Sequence, residues 1–142
     1  MMRTRLVDTS RPEIRSALVF LQAQLFPQDE ALEPIDGYWW VTWDGDVPAA
    51  FAAMRHVPSW PNTFYMARCG VLTKYRGMGL QRKMLTLRER MARDLGARRL
   101  ITTTYRNPKS ANNLIARGFL TYEPQTRWGA ADTIYWIKDL AP

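Results

Sequence analysis

The stretch that most constrains this fold is Val71-Leu72-Thr73-Lys74-Tyr75-Arg76-Gly77-Met78-Gly79-Leu80. Apolar residues that read as a strand run into two glycines, and a long amphipathic segment starts directly after them. Glycine lacks a Cβ, so the backbone at Gly77 and Gly79 can turn tightly and come close to a ligand. The helix that follows points the unpaired N–H groups of its first turn back at the glycines. That end carries partial positive charge and suits a phosphate or pyrophosphate. Lys74 and Arg76 add positive charge on the rim. The stretch reads as a pyrophosphate cradle at a strand–helix junction, with a ligand-free tight turn as the plain alternative.

Spacing narrows the choice. The glycines do not fit G-x-x-x-x-G-K-[ST], so a nucleoside-triphosphate loop is excluded. A third glycine for G-x-G-x-x-G would fall at Arg82, so the dinucleotide fingerprint fails as well. Lys74-Tyr75-Arg76-Gly77-Met78-Gly79 resembles the acetyl-CoA motif of the GNAT superfamily of N-acetyltransferases, Q/R-x-x-G-x-G/A, with Lys in the first place. The departure is mild, because glycine amides rather than the first side chain do most of the phosphate binding.

At 142 residues the chain is expected to be a single domain, 1–142, long enough to bury a core. One cysteine, Cys69, allows no disulfide within the chain and fits a reducing cytoplasm. The N-terminus, Met1-Met2-Arg3-Thr4-Arg5 followed by Leu6-Val7-Asp8, does not read as a signal peptide. The run Ala17 to Phe26, broken by Gln22 and Gln24, is too short to span a bilayer. The net charge of +7 gathers between Lys74 and Arg99. Nucleic acid is one partner for it, coenzyme A another, and a solvated helix face a third, which is the reading for Arg88, Arg90 and Arg93.

Residues 3–8 read as an edge strand, and Ser10-Arg11-Pro12-Glu13 as a helix start with Ser10 as N-cap and Glu13 as its capping-box partner. Ile14, Leu18, Leu21 and Leu25 continue at helical spacing. Residues 28–37 read as a short helix or loop. Tyr38 to Trp43, a turn at Asp44-Gly45, and Asp46 to Val57 form a hairpin. A strand over Thr63 to Leu72 precedes the glycine turn. The helix from Gly79 to Leu95 places Leu80, Met84, Leu87, Met91 and Leu95 on one face and is closed by Gly96. Arg98 to Thr104 reads as a strand parallel to the 63–72 strand through a right-handed crossover. A helix from Pro108 to Arg117 and strands near 119–123 and 132–138 complete the chain.

The order β-α-α-β-β-β-α-β-α-β-β also resembles the GNAT fold. That likeness implies an α/β protein with a mixed central sheet of about six to seven strands and about four helices. Asn107-Pro108-Lys109-Ser110-Ala111-Asn112-Asn113-Leu114-Ile115-Ala116-Arg117-Gly118-Phe119 is similar to the family segment N-x-x-[AS]-x-x-x-[LY]-x-x-x-G-F. Asn107 can simply cap its helix. The resemblance adds contacts to the pantetheine arm from Asn107 and Ser110. It also lays that arm along the strand edge Cys69, Gly70 and Val71, with Gly70 marking a bend, and gives Gly77, Met78, Gly79 and Leu80 to the pyrophosphate.

The resemblance implies acetyl transfer from acetyl-CoA to an amine of an unidentified acceptor, with no metal. Amides such as that of Val71 would polarise the thioester carbonyl. Many family members protonate the leaving thiolate with a Tyr that here aligns with Leu114. Tyr105, Tyr122, Tyr65 or water could serve instead, or the protein could bind acetyl-CoA without turnover. Glu33 and Asp36, in the segment that borders the family's acceptor pocket, are the base candidates beside a plain solvated-loop role. His56 reads as structural and Cys69 as no nucleophile. Asp29, Glu30, Glu33 and Asp36 suit a cationic acceptor such as a polyamine, an aminoglycoside or a protein N-terminus. A basic nucleic-acid-binding module is the rival class, but no helix-turn-helix, RNP or zinc motif supports it. The expected protein is a monomer or homodimer that involves no membrane.

Overall fold

A computed structural model describes residues 2–34 and 36–140. Seven strands form one mixed sheet in the order β1-β2-β3-β4-β5-β7-β6: β1 Met2–Leu6, β2 Tyr38–Asp44, β3 Val47–His56, β4 Thr63–Val71, β5 Arg99–Tyr105, β6 Leu120–Thr121 and β7 Thr133–Asp139. The helices are α1 Pro12–Leu25, α2 Leu80–Asp94 and α3 Pro108–Ala116, with a 3-10 turn at Thr73–Tyr75. The α/β class and strand count match the expectation. Three α-helices stand among the described residues where about four were expected. The chain forms two compact units, one of residues up to Arg55 with Ala67–Arg88, the other of His56–Met66 with residues from Glu89 onward.

In the first unit β2 pairs antiparallel with both β1 and β3. Trp39 and Val41 turn to α1, where they meet Leu18, Leu21, Phe51 and Ala53, and Trp43 packs on the same cluster. Strand alternation sends Trp40 to the face opposite Trp39, Val41 and Trp43. On that face Ala50 and Ala52 pack with Tyr75, Leu80 and Met84. The hairpin turn is Gly45-Asp46, one residue later than expected. Gly45 has φ +60 and Asp46 does not share the positive sign, which is the pattern of a type II′ turn with glycine first.

The start of α1 differs from the expected capping box. Asp8 accepts from both the Ser10 amide (3.0 Å) and the Ser10 hydroxyl (2.7 Å), so that hydroxyl is already committed. Arg11 is the N-cap, makes no side-chain cap, and pairs with Glu13. No helix forms in the described part of 28–37. The Gln22 side chain instead bonds both backbone groups of Leu32 (3.2 and 2.9 Å), and Arg68 donates to the Glu30 carbonyl. Side chains thus satisfy backbone groups that a helix would have paired internally.

In the second unit β4 and β5 run parallel, with Thr63 opposite Arg99 and Tyr65 opposite Ile101, and β7 pairs antiparallel with β5 and β6. Helix α2 ends in the two bonds of a Schellman motif, Gly96 N–H to Arg93 O and Ala97 N–H to Ala92 O, with Gly96 at φ +78.

The buried face of α2 differs from the expected stripe. It comprises Leu80, Met84, Leu85, Arg88, Glu89 and Ala92, whereas Leu95 is 45% exposed. The expected stripe drifts by sevens, while a straight helix keeps i, i+4 neighbours on one side. Arg88 and Glu89 join that side because each finds partners there, so Arg88 is not part of a solvated face. Its Nη1 lies 3.4 and 3.5 Å from the carbonyls of Ala53 and Ala67, and burial lowers its pKa. Glu89 meets Lys138 (2.9 Å), Arg93 (3.3 Å) and Arg117 (3.4 Å).

Candidate active site

The segment before the glycine turn is anchored by one side chain. Tyr75 is buried against Ala49, Ala50, Ala52 and Met84, and its hydroxyl donates to Asp44 Oδ2 at 2.9 Å. That bond and burial hold the Tyr75 phenol above its usual pKa. Arg76 reaches back to donate to the Val71 carbonyl (3.2 Å), while Lys74 stays exposed over the Tyr75 ring. Gly77 and Gly79 then take φ +82 and +76, values that L side chains rarely adopt. A Cβ placed on either would meet nothing within 4 Å, so the turn faces open space. The Gly79 carbonyl accepts the first bond of α2, from Lys83 N–H at 3.0 Å. The amides of Leu80 and Arg82 have no carbonyl one turn back along the helix. Left-handed glycines, open space, a helix start and the cations Lys74, Arg82 and Lys83 together fit an anionic pyrophosphate.

Strand β4 breaks its alternation just before this turn. Ala67 packs in the cluster under α1, yet Cys69 and Val71 pack in the cluster under α2. Residues two apart on a regular strand share a face, so the irregularity lies between Ala67 and Cys69. Gly70, expected to mark a bend, lies beside this irregularity and packs close to α1: a Cβ there would stand 2.6 Å from Leu25 Cδ1, so that side chain would have to shift. Burial pushes the Cys69 thiol up in pKa against the pull of Arg88, which agrees with its reading as no nucleophile.

In the second unit the Met66 carbonyl of β4 accepts from the Thr102 hydroxyl of β5 at 2.7 Å. Asn107 caps α3: its Oδ1 accepts from the Ser110 amide at 3.1 Å, with Pro108 in the first turn. Leu114 is 6% exposed in that helix.

The same unit holds a cavity of about 800 Å³ lined by aromatic residues from separate segments: Trp60 before β4, Tyr65 on it, and Tyr122 and Trp128 between β6 and β7. Trp60 meets Tyr122 edge-on (6.3 Å between ring centres), Tyr122 meets Tyr135 (6.3 Å), and Trp128 meets Tyr135 (4.5 Å). The loop carrying Trp128 is tied down. Gly129 N–H donates to the Tyr135 hydroxyl (2.8 Å), and Arg127 donates to the Thr133 carbonyl (2.7 Å). Gly129 is itself required, since a Cβ there would stand 2.6 Å from Thr133 Oγ1. Glu123 lines the cavity, and both its oxygens lie 3.0 Å from Arg127 Nη1.

The four catalytic candidates separate. Tyr122 lies in the cavity wall, where burial, with Tyr135 and Tyr65 nearby, raises its pKa, so the phenol keeps its proton at neutral pH. Tyr65, in the same wall, bonds the Thr103 hydroxyl at 3.0 Å. Tyr105 is 51% exposed at the end of β5 under the Arg106 guanidinium. Glu33 and Asp36 are exposed on the segment between α1 and β2 in the first unit. The Asp36 backbone carbonyl there accepts from Trp39 Nε1 (2.7 Å). His56 packs its ring on Phe64 (4.2 Å), a structural role. Among the described residues no group of three His, Cys, Asp or Glu side chains is placed to hold a metal.

The burial of Leu114 gives an expected result. Leu114→Tyr should lose about 1–3 kcal/mol of stability by overpacking and gain no turnover. Thiol release across pH, set beside single Phe replacements of Tyr65, Tyr105 and Tyr122, checks it. A gain of about 10²-fold for Leu114→Tyr with all three Phe variants unchanged would show that the chain lacks its acid.

Sequence reasoning missed the Glu123–Arg127 pair and did not separate Trp60 and Trp128 from the core tryptophans. The available signal was position. Trp60 and Trp128 sit in long loops with Pro58, Pro61, Pro124 and Gly129, where binding residues concentrate, while Trp39, Trp40 and Trp136 sit on strands.

Known proteins give two matches and one absence. The family model described as the acetyltransferase (GNAT) family matches residues 6–119. Among solved structures, a Bacillus subtilis acetyltransferase in complex with CoA superposes with a TM-score of 0.73 at 16% identity, covering 99% of this chain and 100% of that one. A Salmonella typhimurium structure with its cofactor acetyl-CoA gives 0.74 at 17%, covering 100% and 95%. A ribosomal-protein alanine N-acetyltransferase from Escherichia coli gives 0.77 at 13%, covering 100% and 96%. At these identities the likeness establishes the fold. No curated protein matches the sequence.

Proposed function

The chain belongs to the GNAT acetyltransferase family and is an acyltransferase with acetyl-CoA as co-substrate, and on that premise we propose how its own residues carry the reaction. The observation that carries the proposal is the Gly77–Gly79 turn, with two left-handed glycines opening onto free space at the start of α2. The backbone there, with Met78 and Leu80, binds the pyrophosphate, and Lys74, Arg76, Arg82 and Lys83 screen its charge. The Cys69–Val71 edge holds the pantetheine arm in the manner of an added strand.

Acetyl-CoA supplies an activated acyl group; the chain supplies positioning and proton traffic. The Val71 amide steadies charge on the carbonyl oxygen. The aromatic cavity takes the acceptor, and its apolar walls favour the neutral amine that must attack. Glu33 or Asp36, acting through water, accepts the amine proton. Tyr122, the candidate that lies in the cavity wall, returns a proton to sulfur. Residues 1–142 act as one N-acetyltransferase domain, and the lone thiol fits action in the cytoplasm. Among the described residues no helix is long and apolar enough to cross a membrane.

The test is thiol release from acetyl-CoA with and without added amine. Amine-dependent release that falls about 10²-fold in Tyr122→Phe supports the assignment. Release unchanged in Tyr122→Phe removes Tyr122 from the mechanism.

A further inference from the structure

The cavity between Trp60, Tyr65, Tyr122 and Trp128 says more about the acceptor than the acidic segment does. Resting on the acetyltransferase reading above, we infer that the acceptor is a monoamine carried on an aromatic or similarly flat apolar group, not a polycation.

The cavity volume of about 800 Å³ falls in the range of small-molecule sites. Its walls are rings already engaged edge to face, the arrangement into which a further ring fits as another edge or face. Trp128 is 54% exposed, yet it rests on Tyr135 and its loop is fixed through Gly129 and Arg127. An incoming ring therefore meets a wall already in place, and little ordering entropy is lost on binding.

The charges point the same way. Among the described residues Glu123 is the one carboxylate in the lining, and Arg127 pairs with it through both oxygens. No other carboxylate of the described lining is left to balance a second or third ammonium group. Beyond that pair, the Arg99 guanidinium covers the ring of the lining residue Trp60 at 4.7 Å. It repels a polycation and leaves a neutral ring indifferent. In the transfer the C–S bond of the thioester breaks as the amine nitrogen forms the C–N bond. The nitrogen loses one proton, and the thiolate gains one.

The test compares kcat/KM for 2-phenylethylamine and tryptamine with that for spermidine and kanamycin, by thiol release at saturating acetyl-CoA. The arylalkylamines should lead by about tenfold or more, and Trp128→Ala should raise the KM for 2-phenylethylamine by about tenfold with kcat little changed. Preference for spermidine or kanamycin, which the acidic residues Asp29, Glu30, Glu33 and Asp36 alone would favour, overturns the inference. So does an arylalkylamine KM that ignores Trp128→Ala, or the absence of arylalkylamine turnover. A calorimetric titration with CoA on the same preparation separates the failures. CoA binding with no arylalkylamine turnover sinks the acceptor class alone, whereas no CoA binding sinks the underlying reading too.

Discussion

Glu89→Ala should cost about 1–3 kcal/mol of stability, because it removes the buried carboxylate on which three part-exposed cations converge. Glu89 is 6% exposed, and Lys138, Arg93 and Arg117 converge on its two oxygens. Burial by itself pushes the Glu89 carboxyl up. The Lys138 hydrogen bond and charge, Arg117 and Arg93 outweigh it and hold the pKa below the ordinary value. A carboxyl depressed in the folded state stabilises the fold above its unfolded pKa and loses that contribution as pH falls through the folded one. The gap between wild type and Glu89→Ala should therefore be full at neutral pH and narrow only as pH falls below the unfolded carboxyl value, about 4.3, towards the lower folded one. Thermal unfolding at pH 7 should show a drop of several degrees. A drop below about 2 °C would mean that the three cations find enough water to do without Glu89.

Gly79→Glu should weaken CoA binding by at least tenfold, about 1.4 kcal/mol, while the fold survives. The added side chain meets no atom within 4 Å, so it does not clash. It does place negative charge where the pyrophosphate is proposed to lie, and φ +76 adds backbone strain of about 1 kcal/mol. Gly45→Ala isolates that strain. Gly45 is also left-handed with open space around it, but it lies in the β2–β3 turn. The expected pair of results is a small stability loss in both variants and a loss of CoA affinity in Gly79→Glu alone. Wild-type affinity in Gly79→Glu would place the cradle elsewhere.

What could be read from the sequence was whatever depends on neighbours along the chain. The turn at Gly77 and Gly79, the closing Gly96, the Asn107 cap and the strand order follow from local rules of backbone freedom and hydrogen bonding. Even so, the α1 capping box failed because Asp8, two residues upstream, claims the Ser10 hydroxyl. The inward turn of Arg88 and Glu89 was not legible. It depends on carbonyls at Ala53 and Ala67 and on Lys138 and Arg117, residues remote in sequence. The closeness of Gly70 to Leu25 was not legible either, since Leu25 is remote in sequence. The aromatic cavity was hidden for the same reason: sheet pairing brings Tyr65 beside Ile101, and the β7 partner Tyr135 then gathers Tyr122 and Trp128.

Binding of acetyl-CoA, proposed at the Gly77–Gly79 turn, is tested most directly by one thermal-shift panel on the wild-type protein with acetyl-CoA, CoA and duplex DNA. Stabilisation by both CoA species, with DNA indifferent, is the predicted result; stabilisation by DNA with indifference to acetyl-CoA and CoA would contradict it.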